Sequence, residues 1–136
     1  MQHDSKIAVV LRDDLLTWQK LNVTSFLVSG ITSTRPDLLG DPYEDASGER
    51  YLPMFAIPVV VLAADRPGLR RAFDRARARQ IPMGLYTDDL FATGNDVDNR
   101  AAVRKVETED LALAGIALAG DRRDIDKALD KLALHP

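Results

Sequence analysis

The chain contains no cysteine, and that absence removes disulfides, thiolate metal sites and a cysteine nucleophile together. It also suits a reducing compartment. Histidine is scarce: His3 and His135 lie near the two ends of the sequence, where a general base is not held in geometry. Ser-His-Asp catalysis and histidine-held metals are therefore set aside, and no metal site is expected. No glycine-rich phosphate loop follows an apolar run, since one such run ends in Arg12-Asp-Asp-Leu15 and another in Ala63-Ala-Asp-Arg-Pro-Gly68. No nucleotide or other cofactor is expected. The longest apolar stretch, Ile57 to Ala64, falls well short of the roughly 20 residues that cross a bilayer. The polar opening Met1-Gln-His-Asp-Ser-Lys6 lacks the flanks of a secretory leader. The expectation is a cytoplasmic protein without a membrane partner. With 18 basic against 21 acidic residues and a formal charge of −3, no whole-protein positive field draws in nucleic acid. RNA binding would have to rest on a local patch.

What is present is the composition of a packed globule: 46% hydrophobic and 29% charged residues in a chain of 136, the size of one domain over residues 1–136. Lys6 to Leu11 is a continuous apolar run that reads as a strand buried on both faces, and Ile57 to Leu62 reads as a second. A helix is expected from about Trp18 to Gly30, although its β-branched Val23 and Thr24 are weak helix formers. The stretch from Thr32 to Pro53 is irregular, with Tyr43 to Leu52 as a candidate hairpin turning at Ser47-Gly48. Asp65 is placed as an N-cap with Pro67 in the first turn, and Leu69, Ala72, Phe73 and Ala76 follow at i, i+3, i+4, i+7. That helix ends before Pro82, and Met83 to Tyr86 is a third short strand. Asp88 to Asn99 reads as a polar loop, with a short helix over Asn99 to Val106. Leu111 to Leu118 forms a fourth strand weakened by Gly115, and Asp121 caps a helix through Leu132. Strands alternating with helices predict an α/β protein. Its form is a three-layer sandwich around a mixed, mostly parallel sheet of about four strands.

Open α/β sheets bind ligands beyond the carboxyl ends of their strands. Arg12, Asp13 and Asp14 follow the first strand, and Thr87, Asp88, Asp89 and Thr93 follow the third. Were these strands parallel neighbours, the two clusters would share a rim with Lys20, making Arg12, Asp14 and Asp88 candidate binders of a small polar ligand. The same aspartates read equally well as helix caps. Two further features have plainer readings. Asn95-Asp-Val-Asp-Asn99 lacks the glycine and distal glutamate of a calcium loop and reads as a polar turn. The stripe Arg71, Arg75, Arg79 could meet phosphates, but also reads as a soluble helix face. Trp18, Phe26, Phe55 and Phe91 flank irregular segments that a small core does not cover, so a homodimer is expected.

On Ile7-Ala-Val-Val with Arg12-Asp-Asp-Leu15, the Leu69 to Pro82 unit, Asp89-Leu-Phe-Ala-Thr93 and the closing Leu113 to Leu132 unit, the chain resembles the type 2 peptidyl-tRNA hydrolases. Those enzymes cleave the ester between a peptide and transfer RNA. It is still more similar to an uncharacterised bacterial family of unknown function within that superfamily, sharing the Tyr43 to Pro53 segment and Thr93-Gly-Asn. The hydrolases' glutamine and histidine on the first helix have no counterparts, and Phe91 stands in place of a glycine. The resemblance implies a peptidyl-tRNA-hydrolase-like fold and a hydrolase acting on another substrate, with Asp89 or Thr93 positioning water and Lys20 stabilising an oxyanion. The alternative is a non-catalytic module that binds a small ligand or assembles with a partner protein.

Overall fold

The structure, a computed structural model, describes residues 4–136. Its frame is a five-stranded mixed sheet of β1 (Ser5–Arg12), β4 (Val59–Ala64), β5 (Met83–Thr87), β6 (Leu113–Asp121) and β7 (Ala133–Leu134), in the order β5-β6-β1-β4-β7. Two short strands, β2 (Tyr43–Glu44) and β3 (Arg50–Tyr51), form a separate hairpin. Gly48 takes φ +86° in its turn, a backbone region open to glycine at no steric cost.

The expected sheet of about four mostly parallel strands is corrected on both counts. Among the described residues only β1 and β4 pair in parallel; β6 runs antiparallel to both β1 and β5, and β7 antiparallel to β4. The first and third sequence-predicted strands, β1 and β5, point the same way, but β6 lies between them.

Helices cover both faces, following the period-2 alternation of the strands. Ile7, Val9 and Leu11 of β1 point to one side with Val23, Leu27 and Ile31 of α1 (Thr17–Thr34). Ala8 and Val10 point to the other, with Leu69, Ala72, Phe73 and Ala76 of α2 (Arg66–Ala78) and Ile125 and Ala128 of α4 (Arg122–Ala128). α2 starts where expected: the Asp65 carboxylate accepts from the Gly68 amide at 2.8 Å. Asp121 likewise accepts from the Arg123 amide at 2.9 Å to start α4. That helix stops at Ala128 rather than Leu132, because Lys131 takes φ 70° and turns the chain into β7.

α1 continues past Gly30 to Thr34, because Ile31 extends the i, i+4, i+8 stripe of Val23 and Leu27 onto the sheet. Its hydroxyl-bearing residues bond back along the helix, Thr24 to the Lys20 carbonyl at 2.8 Å and Thr32 to the Val28 carbonyl at 2.9 Å. The helix lies close on the sheet at two glycines. A Cβ added to Gly115 would come within 2.9 Å of Val23 Cγ1, and one on Gly84 within 3.3 Å of Leu27 Cδ2. Gly115 is thus a packing requirement of α1. Among the described residues, no helix is long and apolar enough to cross a membrane.

Candidate functional site

The polar rim at the carboxyl end of β1 forms around Arg12, whose side chain is buried. Its Nε donates to Asp14 at 2.5 Å, and its Nη1 donates to Asp88 at 2.8 Å and to the Leu113 carbonyl at 2.7 Å. Arg66, at the start of α2, stands 3.7 Å from Asp14 and 3.8 Å from Asp88. The structure therefore joins Arg12, Asp14 and Asp88, although the strands carrying them are not neighbours. Burial disfavours the Arg12 charge, but the hydrogen bonds and charges of Asp14 and Asp88 outweigh it and raise its pKa. Asp14 is held below the usual carboxylate range, chiefly by its hydrogen bond from Arg12. Two cations and two carboxylates satisfy one another here and pin β1, β6 and α2 together. Beside them the Thr87 hydroxyl is buried without a hydrogen-bond partner among the described residues.

Lys20 and Thr93 are not brought together. α1 turns about 100° per residue, so Lys20 projects roughly 200° away from Trp18. Trp18 reaches Phe91, their ring centroids 6.0 Å apart. Lys20 instead points toward the β7 edge, where its ammonium donates to His135 Nε2 at 3.1 Å. The other ring nitrogen, Nδ1, lies 3.1 Å from the Pro136 carbonyl oxygen. His135, expected to lie where a side chain is not held in geometry, is held: its amide also donates to the Val61 carbonyl at 2.9 Å and extends the edge of β4. His3 lies outside the described residues. Asp89 is exposed in the 3-10 turn Asp88–Ala92. The polar loop expected over Asp88 to Asn99 is that turn followed by α3 (Asp96–Arg104), which Asn95 caps by accepting from the Asp98 amide at 2.9 Å.

Thr93 lines a different feature, a cleft of about 350 Å³ between α1, the 3-10 turn and the start of α3. Its hydroxyl donates to the Leu90 carbonyl at 2.9 Å and also touches the Asn99 side-chain oxygen Oδ1. Trp18, Phe26, Tyr86 and Phe91 form the aromatic part of the wall, with Asn22 and Asn99 beside them. Successive rings touch at inclined angles: 77° for Trp18 with Phe91, 53° for Phe91 with Tyr86 at 5.0 Å, and 57° for Tyr86 with Phe26 at 5.9 Å. Burial raises the Tyr86 pKa, and a hydrogen bond with Asn22 partly offsets that rise. Trp18 and Phe26 stay 58% and 54% exposed, so the cleft is open to a ligand. Phe55 belongs elsewhere, half-buried against the core under α1.

A larger cavity of about 850 Å³ lies between α2 and α4, lined by Arg75, Arg79, Arg122, Arg123 and Lys127 together with four aspartates. Its charges are partly spent on neighbours: Lys6 pairs with Asp126 at 2.5 Å, Arg79 with Asp124 at 3.4 Å, and Arg75 donates to the Asp130 carbonyl at 3.3 Å. Ligand sites are more often apolar with a few polar groups, which favours the smaller aromatic cleft. Sequence reading singled out Thr93, though for a rim shared with Lys20 and Asp89, and three of the four aromatics, though for self-association; it missed Asn22, Tyr86 and Asn99. The i, i+4, i+8 spacing of Trp18, Asn22 and Phe26 was the available signal.

No functionally curated protein matches the sequence. A solved structure, that of a protein of unknown function from Agrobacterium tumefaciens strain C58, matches with a TM-score of 0.96 at 42% identity, covering 99% of this chain and 100% of that one. A family model described as "Protein of unknown function (DUF2000)" matches residues 5–136. The chain thus belongs to the DUF2000 family.

Proposed function

We propose that this protein binds a small molecule in the cleft between α1 and α3, without covalent chemistry on it. The observation that carries the reading is four aromatic side chains lining one open cavity together with the Asn22, Thr93 and Asn99 polar groups. That mixture suits a ligand with an apolar body and one or two polar groups. A hydrolytic role for Lys20, Asp89 and Thr93 is less well supported, since Lys20 is engaged by His135 and Thr93 by Leu90 and Asn99. The resemblance of Arg12-Asp-Asp-Leu15 and Asp89-Leu-Phe-Ala-Thr93 to type 2 peptidyl-tRNA hydrolases supports common descent with that superfamily in a bacterial, cytoplasmic setting. The exposed Leu52 and Met54, neither of which lines the cleft, support a homodimer, which sedimentation at micromolar concentration checks.

The test is thermal unfolding in the presence of a panel of small molecules that carry a ring or branched apolar group and a polar head. A ligand at 100 times its Kd adds about 2.7 kcal/mol. Across 136 residues that raises Tm by on the order of 10 °C. Phe91→Ala should abolish the shift, and Arg122→Ala in the α2–α4 cavity should leave it intact. Cleavage of peptidyl-tRNA that disappears in Lys20→Ala would overturn the reading in favour of hydrolysis.

A further inference from the structure

Among the described residues that line the aromatic cleft there is no lysine, arginine or histidine. Asp96 is the one carboxylate there, at the mouth, paired with Arg100 at 2.7 Å. Both members of that pair are largely exposed, so water screens it and an entering cation competes for the carboxylate. An anionic ligand inside the cleft would meet this carboxylate, and the nearest cation, Arg100, stands outside the lining and is already paired with it. A cation is attracted to the negative faces of aromatic rings, and the rings of this wall, inclined by 53° to 77° to one another, are not stacked in parallel.

Resting on the binding reading above, we propose that the ligand is a small organic cation whose nitrogen carries methyl or similar alkyl groups. Two properties of such a cation match the site. Its charge is spread beneath apolar groups, so it sheds water into an apolar wall at less cost than a primary ammonium, which needs hydrogen-bond acceptors on several sides. Its attraction to ring faces adds to ordinary apolar contact, and most strongly to tryptophan. Trp18 is the only tryptophan in the chain and stands at the edge of the cleft, so occupancy is read from its emission without labelling.

The full-length protein is titrated with choline, with tetramethylammonium and with 3,3-dimethylbutan-1-ol, a neutral compound of nearly the same shape as choline. Trp18 emission is followed, with calorimetry in parallel. Choline and tetramethylammonium are expected to give saturable changes, with the neutral compound weaker by about tenfold. Phe91→Leu, checked for folding by circular dichroism, should weaken choline by at least about fivefold. Trp18→Leu, read by calorimetry, should do the same without disturbing the core. Asp96→Asn should weaken choline less than either. Equal binding of choline and the neutral compound overturns the cation assignment and leaves the binding site standing. So does a response confined to neutral ligands. The absence of any response, from these compounds and from the wider panel, overturns both readings.

Discussion

Replacing Gly115 by alanine isolates the close approach of α1 to the sheet. The added Cβ would stand 2.9 Å from Val23 Cγ1, 3.1 Å from the Val10 carbonyl oxygen and 3.4 Å from Leu11 Cδ2. Neither of the nearer two gives way easily: valine in a helix is confined to essentially one χ1 rotamer, and the Val10 carbonyl belongs to the β1–β6 ladder. The helix must lift or β6 must shift. Overpacking of this kind costs about 1–3 kcal/mol. The backbone at Gly115 is not in the left-handed region, so alanine returns about 0.4–1 kcal/mol by restricting the unfolded chain. A net loss of about 1–2 kcal/mol is expected. Gly30, on the exposed side of α1 with nothing within 4 Å of its would-be Cβ, is the control: there alanine should add about 0.5–1 kcal/mol. Urea unfolding followed by circular dichroism measures both. In the double variant Val23→Ala, Gly115→Ala, the two changes should couple by more than about 0.5 kcal/mol, since removing Val23 Cγ1 makes room for the new methyl. If Gly115→Ala is as stable as the parent, or if the pair is simply additive, the claim that Gly115 sets the α1–sheet distance is wrong.

Arg12→Ala removes a buried guanidinium and its bonds to Asp14, Asp88 and the Leu113 carbonyl. Because the carboxylates are partly exposed and can rehydrate, the expected loss is about 2–4 kcal/mol rather than the full cost of a buried unpaired charge; a loss below about 1 kcal/mol in urea would show that the rim does not pin the strand ends. Asp14 has a lowered folded-state pKa, so its contribution is complete above its ordinary unfolded value and fades as pH falls through the lower folded value. The stability gap between the parent and Asp14→Asn, at most about 1 kcal/mol for so exposed a group, should be open at pH 6 and close in strong acid; a gap that widens on acidification contradicts the pairing. Lys20→Ala frees the His135 ring, so hydrogen exchange should speed up at the His135 amide while Trp18 emission in the presence of choline stays unchanged. A changed emission would place Lys20 in the cleft after all.

Much of the fold was legible because local chemistry and tertiary packing agree. α2 is the clearest case: its cap at Asp65, its apolar stripe and its stop before Pro82 all name the same helix, and Phe73 is buried as expected. The hairpin turning at Ser47-Gly48 was readable for the same reason. Strand direction was not. An apolar run such as that in β6 is buried on both faces whichever way it points, and nothing local tells an antiparallel insertion between β1 and β5 from a parallel neighbour. β7 carries too little pattern in two residues. The rim was legible as a set of charges at strand ends, and the structure joins Arg12, Asp14 and Asp88. Lys20 was grouped with Thr93 because it stands early in the helix; the helical turn between Trp18 and Lys20 sends it to the other side. Tyr86 and Asn22 drew no notice because each, alone, is an ordinary strand tyrosine or surface asparagine.

The central claim, that the cleft between α1 and α3 is where this protein meets its ligand, is tested most directly by amide chemical-shift mapping on the nitrogen-15-labelled protein titrated with choline. The account predicts saturable shifts concentrated at Asn22, Tyr86, Phe91, Thr93 and Asn99, with Arg75 and Arg122 in the α2–α4 cavity unmoved. Shifts concentrated at Arg75 and Arg122, or spread without saturation over the whole surface, would contradict it.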